Sequence, residues 1–171
     1  MNGTGSERIF IPVASLVDTN ILVYRFDPRA PAKQRVAEEL LRSNLIEDTL
    51  VLPHQAVLEF IAAVIRPRPD LDGAPLLSMG EAVVEAEELT TQFPVVYPTP
   101  AVLKTALRGA ATYGLSWFDA HLWAYAEVYG CAEILSEDFQ HGRRYGEVRI
   151  ANPFLIAADG VHELPPLYAA E

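Results

Sequence analysis

Leu16-Val17-Asp18-Thr19-Asn20 passes from apolar to polar in one step. Two bulky aliphatic residues followed by an acid, a hydroxyl and an amide read as the end of a short buried strand and the entry to a helix. Asp18 stands at the joint. The strand is predicted over Ser15–Val17, inside the uncharged stretch Ile9–Val17, and a short helix over Asn20–Arg25.

The same alternation recurs downstream. Val36, Leu40 and Leu41 lie at helical spacing in a predicted helix from Ala30 to Leu45, and Thr49–Leu52 is a short apolar strand. Pro53 opens a helix through Ile65, stopped by Arg66-Pro67-Arg68-Pro69. Ser78–Gln92 is an acidic helix with Val83, Val84 and Leu89 expected on its inner face, and Phe93–Tyr97 is a strand. Pro100–Tyr113 is a helix ended by Gly114. Ser116 caps the next one, Trp117–Tyr129, ended by Gly130. Strands follow at Glu133–Leu135 and Val148–Ala151, and Asn152-Pro153-Phe154 closes the core. Short apolar strands alternating with helices predict a three-layer α/β/α domain with a parallel sheet of four or five strands. The domain is expected over residues 9–156, with a flexible leader at 1–8 and a tail at 157–171.

Four acids then stand out against apolar neighbours. Asp18 follows Leu16-Val17, and Glu59 is the only charge in Ala56–Ile65. Asp119 interrupts Trp117-Phe118-Asp119-Ala120, and Asp138 follows Ile134-Leu135-Ser136-Glu137. An ionised carboxylate in apolar surroundings is costly unless it is paired or binds a metal. No Lys or Arg lies close in sequence to any of them before Arg143 and Arg144. Parallel sheets place sites beyond the carboxyl ends of their strands, where Asp18 and Asp138 fall. Convergence on a hard divalent cation, Mg²⁺ or Mn²⁺, is the economical explanation. Zinc would ask for a close His pair or a second Cys, and neither is present. Such a site suits phosphodiester hydrolysis.

The chain carries 171 residues and a net charge of −10, so it has no global attraction to nucleic acid. The local basic candidates are Arg25 with Arg29, Arg66 with Arg68, and Arg143 with Arg144. For any single pair, a solvated loop is the favoured reading. Cys131 is alone, which excludes an intrachain disulfide and fits a reduced, cytoplasmic setting. No run reaches the ~18 apolar residues of a membrane span.

The order and context of these motifs resemble the PIN-domain ribonucleases, and the VapC-like toxins of bacterial toxin–antitoxin pairs in particular. The resemblance covers roughly residues 15–155. It rests on Val17-Asp18-Thr19-Asn20, on Glu59, on Ser116-Trp117-Phe118-Asp119-Ala120, and on Leu135-Ser136-Glu137-Asp138-Phe139. It implies a metal-dependent endonuclease that cuts single-stranded or loop RNA to 5′-phosphate and 3′-hydroxyl ends. It also implies a homodimer and a cognate antitoxin that lays an apolar helix along a groove and pushes a basic side chain into the acidic site. By position, Asp18, Asp119 and Asp138 resemble metal ligands, and Glu59 resembles a ligand or a water-orienting group. Asn20, Ser136 and Thr19 resemble groups that hold those carboxylates. His141, Arg143 and Arg144 are candidates for substrate contact.

Other readings stand beside these. Asp18 serves equally as a helix cap, and Asp119 forms a Ser-x-x-Asp capping pattern with Ser116. Glu137 is an alternative to Asp138, although the Ser136-x-Asp138 spacing favours Asp138. Trp117, Phe118 and Trp123 either stack on RNA bases or fill the core, and the core is the expectation. His121 departs from the family pattern, where an apolar or small residue is expected. At the level of function, a housekeeping RNA-processing nuclease or a non-catalytic binding module of the same fold are the rivals. A haloacid-dehalogenase-type phosphohydrolase would need a second Asp where Asn20 stands.

Overall fold

The structure, a computed structural model, describes residues 14–158. The expected leader, and the expected tail from residue 159 onward, lie outside the described residues. In chain order the elements are β1 (Ser15–Val17), α1 (Thr19–Tyr24), α2 (Pro31–Glu47), β2 (Leu50–Pro53), α3 (His54–Val64) and α4 (Met79–Gln92). They continue with β3 (Val95–Val96), α5 (Pro100–Tyr113), α6 (Trp117–Tyr129), β4 (Glu133–Leu135), β5 (Arg144–Tyr145), β6 (Val148–Ala151) and α7 (Pro153–Ala158). A single 3-10 turn, Pro69–Leu71, lies between α3 and α4.

The strands form one sheet in the order β3-β2-β1-β4-β6-β5. Five of them run parallel, and β5 adds an antiparallel edge to β6. The five parallel strands match the expected number; β5 was not anticipated, because two residues carry no period of their own. β1 lies at the centre, with Ser15 in register with Leu50 on one side and Glu133 on the other. Chain connections leave β1 in one direction toward β2 and arrive at β4 from the other. This reversal opens a crevice at the carboxyl ends of β1 and β4.

Alternation along the strands splits the core into two layers. Leu16, Val51, Ile134 and Ile150 face α5 and α6 in a layer with Trp123 and Tyr125. Val17, Leu50, Leu52 and Leu135 face the opposite way, into a layer with Ile21, Phe60, Val64, Leu89 and Phe154. Neighbours such as Leu16 and Val17 are both fully buried, yet in different layers. That is what a sheet covered on both faces requires.

The helix ends follow local chemistry. Ser78 and Glu81 form a reciprocal capping box, Thr99 caps α5, and Gly114 and Gly130 close α5 and α6 in the left-handed region. The inner face of α4 differs from expectation. Ala82, Ala86 and Leu89 are buried, while Val83 and Val84 are exposed. Small residues one turn apart let α4 sit close to α3, and this overrides the bulk of the valines.

Close approach also explains Gly109 in the middle of α5. A Cβ built there would lie 2.4 Å from the Trp123 ring. The ring cannot yield easily: its Nε1 donates to the Tyr145 carbonyl at 2.9 Å, and Tyr113 packs edge-on at 5.2 Å. Gly109→Ala is therefore expected to destabilise the fold by about 1–3 kcal/mol, although alanine is the better helix former. Urea unfolding checks this, and a stability gain would refute the packing argument.

Candidate metal centre at the carboxyl edge of the sheet

Asp18 leaves β1 at the crevice and caps α1. Its Oδ1 accepts from the Thr19 backbone N–H at 2.6 Å. Its Oδ2 accepts from Ser136 Oγ at 2.5 Å and from Asn20 Nδ2 at 3.0 Å. Capping and site membership thus coexist in one carboxylate. Ser136 follows β4, is fully buried, and its Oγ also accepts the Asp138 backbone N–H at 3.1 Å. Asn20 Nδ2 reaches Asp138 Oδ2 at 3.1 Å. A side-chain amide and a hydroxyl therefore tie Asp18 to Asp138, which lie 120 positions apart in the chain.

Glu59 enters from α3. Thr19 Oγ1 donates to its Oε2 at 2.9 Å, and Gln55 Nε2 donates to its Oε1 at 2.9 Å. Gln55 also reaches the Phe118 carbonyl at 3.4 Å, which brings the start of α6 and Asp119 alongside α3. The Asp119 backbone N–H is capped by Ser116 at 3.2 Å. Among the described residues no donor is hydrogen-bonded to the Asp119 carboxylate.

Burial pushes the Asp18 carboxyl up to about 7, and the charges of Asp138 and Glu59 push in the same direction, while the bonds from Ser136 and Thr19 oppose them. Acidic neighbours that oppose the ionisation of a buried carboxyl are what a bound cation relieves. The Oδ1 of Asn20 is buried without a partner. The donors are all oxygen, which fits Mg²⁺ or Mn²⁺ and not zinc. Among the described residues no three Asp, Glu, His or Cys side chains already form a closed ligand cage. Asn20 and Ser136 stand between Asp18 and Asp138, and Asp119 is joined to the cluster only through Gln55 and the Phe118 backbone.

Several expectations need correction. Apolar sequence neighbours do not bury all four acids. Asp18 is buried, Glu59 and Asp119 are half-buried, and Asp138 is exposed. The apolar face around Glu59 is itself open, with Leu58 54 % exposed, because among the described residues no layer covers that side of α3. Trp117 and Phe118 are not core. Phe118 is 65 % exposed at the mouth of the site, and only Trp123 of the three aromatics is buried.

Glu137 is engaged elsewhere, hydrogen-bonded by Lys33 and by the Tyr24 hydroxyl. His141 accepts the Asn152 backbone N–H on Nδ1 at 3.0 Å. The Arg143 guanidinium lies 4.6 Å from the Tyr145 ring centroid, and Arg144 donates to the Glu147 carbonyl at 3.2 Å. Among the described residues none of these three is hydrogen-bonded to the acidic cluster.

Three further residues hold positions that their sequence neighbours do not announce. Asp27 is only 4 % exposed and is held below the usual carboxylate range chiefly by its hydrogen bonds from Arg29, two residues away. Its partner was visible as a loop arginine and stays exposed, but nothing local marked Asp27 as buried. Gln55 and His121 are hydrogen-bonded at 2.8 Å across 66 positions. The one signal for them was a histidine standing where an apolar residue was expected.

A parallel sheet between two helical layers, with acids gathered where its strand order reverses, defines an α/β/α domain built around a carboxylate site. The chain belongs to the PIN-domain family, whose model matches residues 15–147. No curated protein sequence matches it. Its fold is similar to that of a toxin–antitoxin complex from Klebsiella pneumoniae (TM-score 0.56, 15 % identity, covering 82 % of this chain and 98 % of that one). It is also similar to VapC20 of Mycobacterium tuberculosis, described as a sarcin-ricin-loop-cleaving toxin (TM-score 0.56, 17 % identity, 90 % and 100 % covered). A third similar structure is FitAcB of Neisseria gonorrhoeae (TM-score 0.55, 20 % identity, 81 % and 97 % covered). Among the described residues no helix is long and apolar enough to cross a membrane.

Proposed function

We propose that the chain is a Mg²⁺- or Mn²⁺-dependent endoribonuclease that hydrolyses single-stranded or looped RNA to 5′-phosphate and 3′-hydroxyl ends. The observation that carries this reading is the buried Asp18 carboxylate, fixed by Ser136 and Asn20 and crowded by Asp138 and Glu59. Asp18, Asp119 and Asp138 would hold the cation, with Glu59 as a further ligand or as the group that orients the attacking water. When bound, the cation supplies Lewis acidity to the phosphate and lowers the pKa of the water.

The rest of the work belongs to the chain. Ser136 and Thr19 fix the carboxylate planes of Asp18 and Glu59, and bonds of this kind set ligand direction. Asn20 holds Asp18 and Asp138 at one separation. Phe118 and Trp117, exposed beside Asp119, offer faces on which unpaired bases can stack. Arg143, Arg144 and His141 are candidates for phosphate contact further along the strand.

The biological role that fits is the toxin of a toxin–antitoxin pair, working as a homodimer in the cytoplasm and restrained by a cognate antitoxin. The fold it shares with structures described as toxins supports this, as does exposed apolar surface such as Leu58 on α3 and Leu103 and Leu107 one turn apart on α5.

The test is cleavage of end-labelled single-stranded RNA with Mg²⁺, Mn²⁺ or EDTA. Wild type is expected to cut with either metal and to stop with EDTA. Asp119→Ala is expected to lose at least about a hundredfold in rate, since even groups behind metal ligands cost up to that much. Absence of both cleavage and Mn²⁺ binding in wild type would sink the proposal.

A further inference from the structure

We infer that Gln55 and His121 are positioning residues that aim the Glu59 carboxylate, through a relay that crosses from α6 to α3. The inference rests on the nuclease reading above for its consequence, but on hydrogen-bond geometry for its existence.

Gln55 lies one turn before Glu59 on the same helix, and its Nε2 donates to Glu59 Oε1 at 2.9 Å. A carboxylate only accepts, so Gln55 must present its NH₂ to Glu59, and its carbonyl oxygen is left facing His121. His121 Nδ1 lies 2.8 Å from that oxygen. Nδ1 must therefore carry the hydrogen, whatever the state of Nε2. This fixes the tautomer from the contacts alone and removes the ambiguity that usually attends histidine and glutamine orientation.

The ring is itself held. Trp117 lies nearly parallel to it, at 18° and 6.1 Å between centroids, and Tyr125 meets it edge-on at 5.1 Å. Thr19 Oγ1 secures the other oxygen, Oε2, from α1. Glu59 is thus gripped by donors from two directions and pinned through α6. That arrangement suits a carboxylate whose direction matters, and a solvated surface glutamate would not need it. The exposed flank of α3 leaves the Glu59 side chain otherwise unsupported.

The test uses the full chain with Gln55→Leu, His121→Leu, the double variant and His121→Asn, whose side-chain amide nitrogen can stand in for Nδ1–H. Three readings are taken: the His121 tautomer by long-range ¹H–¹⁵N correlation at pH 8, Mn²⁺ affinity, and single-turnover RNA cleavage over a range of RNA concentrations. Wild type should show the Nδ1–H tautomer, and Gln55→Leu should shift His121 toward Nε2–H. Each leucine variant should lose about tenfold in maximal rate with the half-saturating RNA concentration unchanged, and the double variant should be no worse than either single one. His121→Asn should recover to within about threefold of wild type, which a merely space-filling role would not produce.

An Nε2–H tautomer in wild type, or leucine variants that cleave at the wild-type rate, would overturn the relay. Should His121→Leu fail to fold, Gln55→Leu and His121→Asn carry the same comparison. If no form cleaves RNA, yet wild type shows Nδ1–H and both leucine variants bind Mn²⁺ more weakly, the relay stands and the nuclease reading falls.

Discussion

Asp18→Asn is expected to abolish metal-dependent cleavage and, in the same step, to make the metal-free protein more resistant to heat above neutral pH. The two effects share one cause. In the folded chain the Asp18 carboxyl ionises only at about 7, because burial and the neighbouring acids oppose its charge. In the unfolded chain it ionises near its ordinary value of 3.8. Between these two values the folded state binds the extra proton, so stability falls as pH rises from about 4 through about 7. Above that window the full cost, on the order of 4 kcal/mol, is in place.

Asparagine carries no such charge, and turning the Asn20 amide over would present its unpartnered Oδ1 to the new amide at the expense of the bond to Asp138. After re-pairing losses of about 1–3 kcal/mol, a rise in Tm of roughly 3–10 °C is expected at pH 8 in EDTA, with a smaller gain at pH 5. Saturating Mn²⁺ should raise the wild-type Tm at pH 8 and leave the variant's unchanged, because only the wild type can hand its charge to the cation. Calorimetric melts at both pH values, with and without metal, check this. An unchanged or lower Tm for the variant at pH 8 in EDTA would refute the argument.

The second large effect separates two adjacent acids. Asp138→Ala is expected to cost at least about a hundredfold in cleavage without lowering Tm, since it also removes a charge that opposes the ionisation of Asp18. Its carboxylate is exposed, and Asn20 still has Asp18 and Ser136 to bond. Glu137→Ala is expected to do the reverse. It removes the acceptor shared by Lys33 and Tyr24, a bridge between α2, α1 and the turn after β4. Lys33 keeps its place over the Tyr24 and Phe154 rings, 4.4 and 5.4 Å from their centroids, so the loss is about 1 kcal/mol and cleavage stays within a few-fold. Parallel rates and melting curves for the two variants decide the matter. A Glu137 variant that is stable but inactive would transfer the site role to Glu137.

The elements whose limits lay open in the sequence are those set by chemistry a few residues long. Ser116 and Gly130 bound α6, and Pro100 and Gly114 bound α5, where they were expected. Asp18, Asn20, Ser136 and Asp138 were equally legible, since each sits where a short apolar strand stops. What escaped depends on partners distant in the chain. The Arg144-Tyr145 pair becomes a strand only because Val148 and Arg149 lie opposite it. Hydrophobicity marks Leu58 and Phe118 as apolar without saying whether another layer reaches them, and among the described residues none does. Nothing in its sequence neighbours sets Asp27 apart, and its burial is set by tertiary packing. His121 stands out as a departure from the family pattern, but its pairing with Gln55 shows only when α3 and α6 are laid side by side.

The bond from Ser136 to Asp18 has a consequence for how the protein is made. It joins positions 118 residues apart, and β4, which precedes Ser136, pairs directly with β1. A nascent chain that has not yet delivered residues 133–138 from the ribosome can fold neither the centre of its sheet nor its acidic cluster. Such a chain already carries Asp18, Glu59 and Asp119, but not the hydroxyl and the carboxylate that complete them. On the nuclease reading proposed above, activity is thereby timed. On that reading, premature termination, or a break anywhere between α1 and β4 that lets the pieces part, yields inactive material, and cleavage arrives only with the closing strands of the sheet.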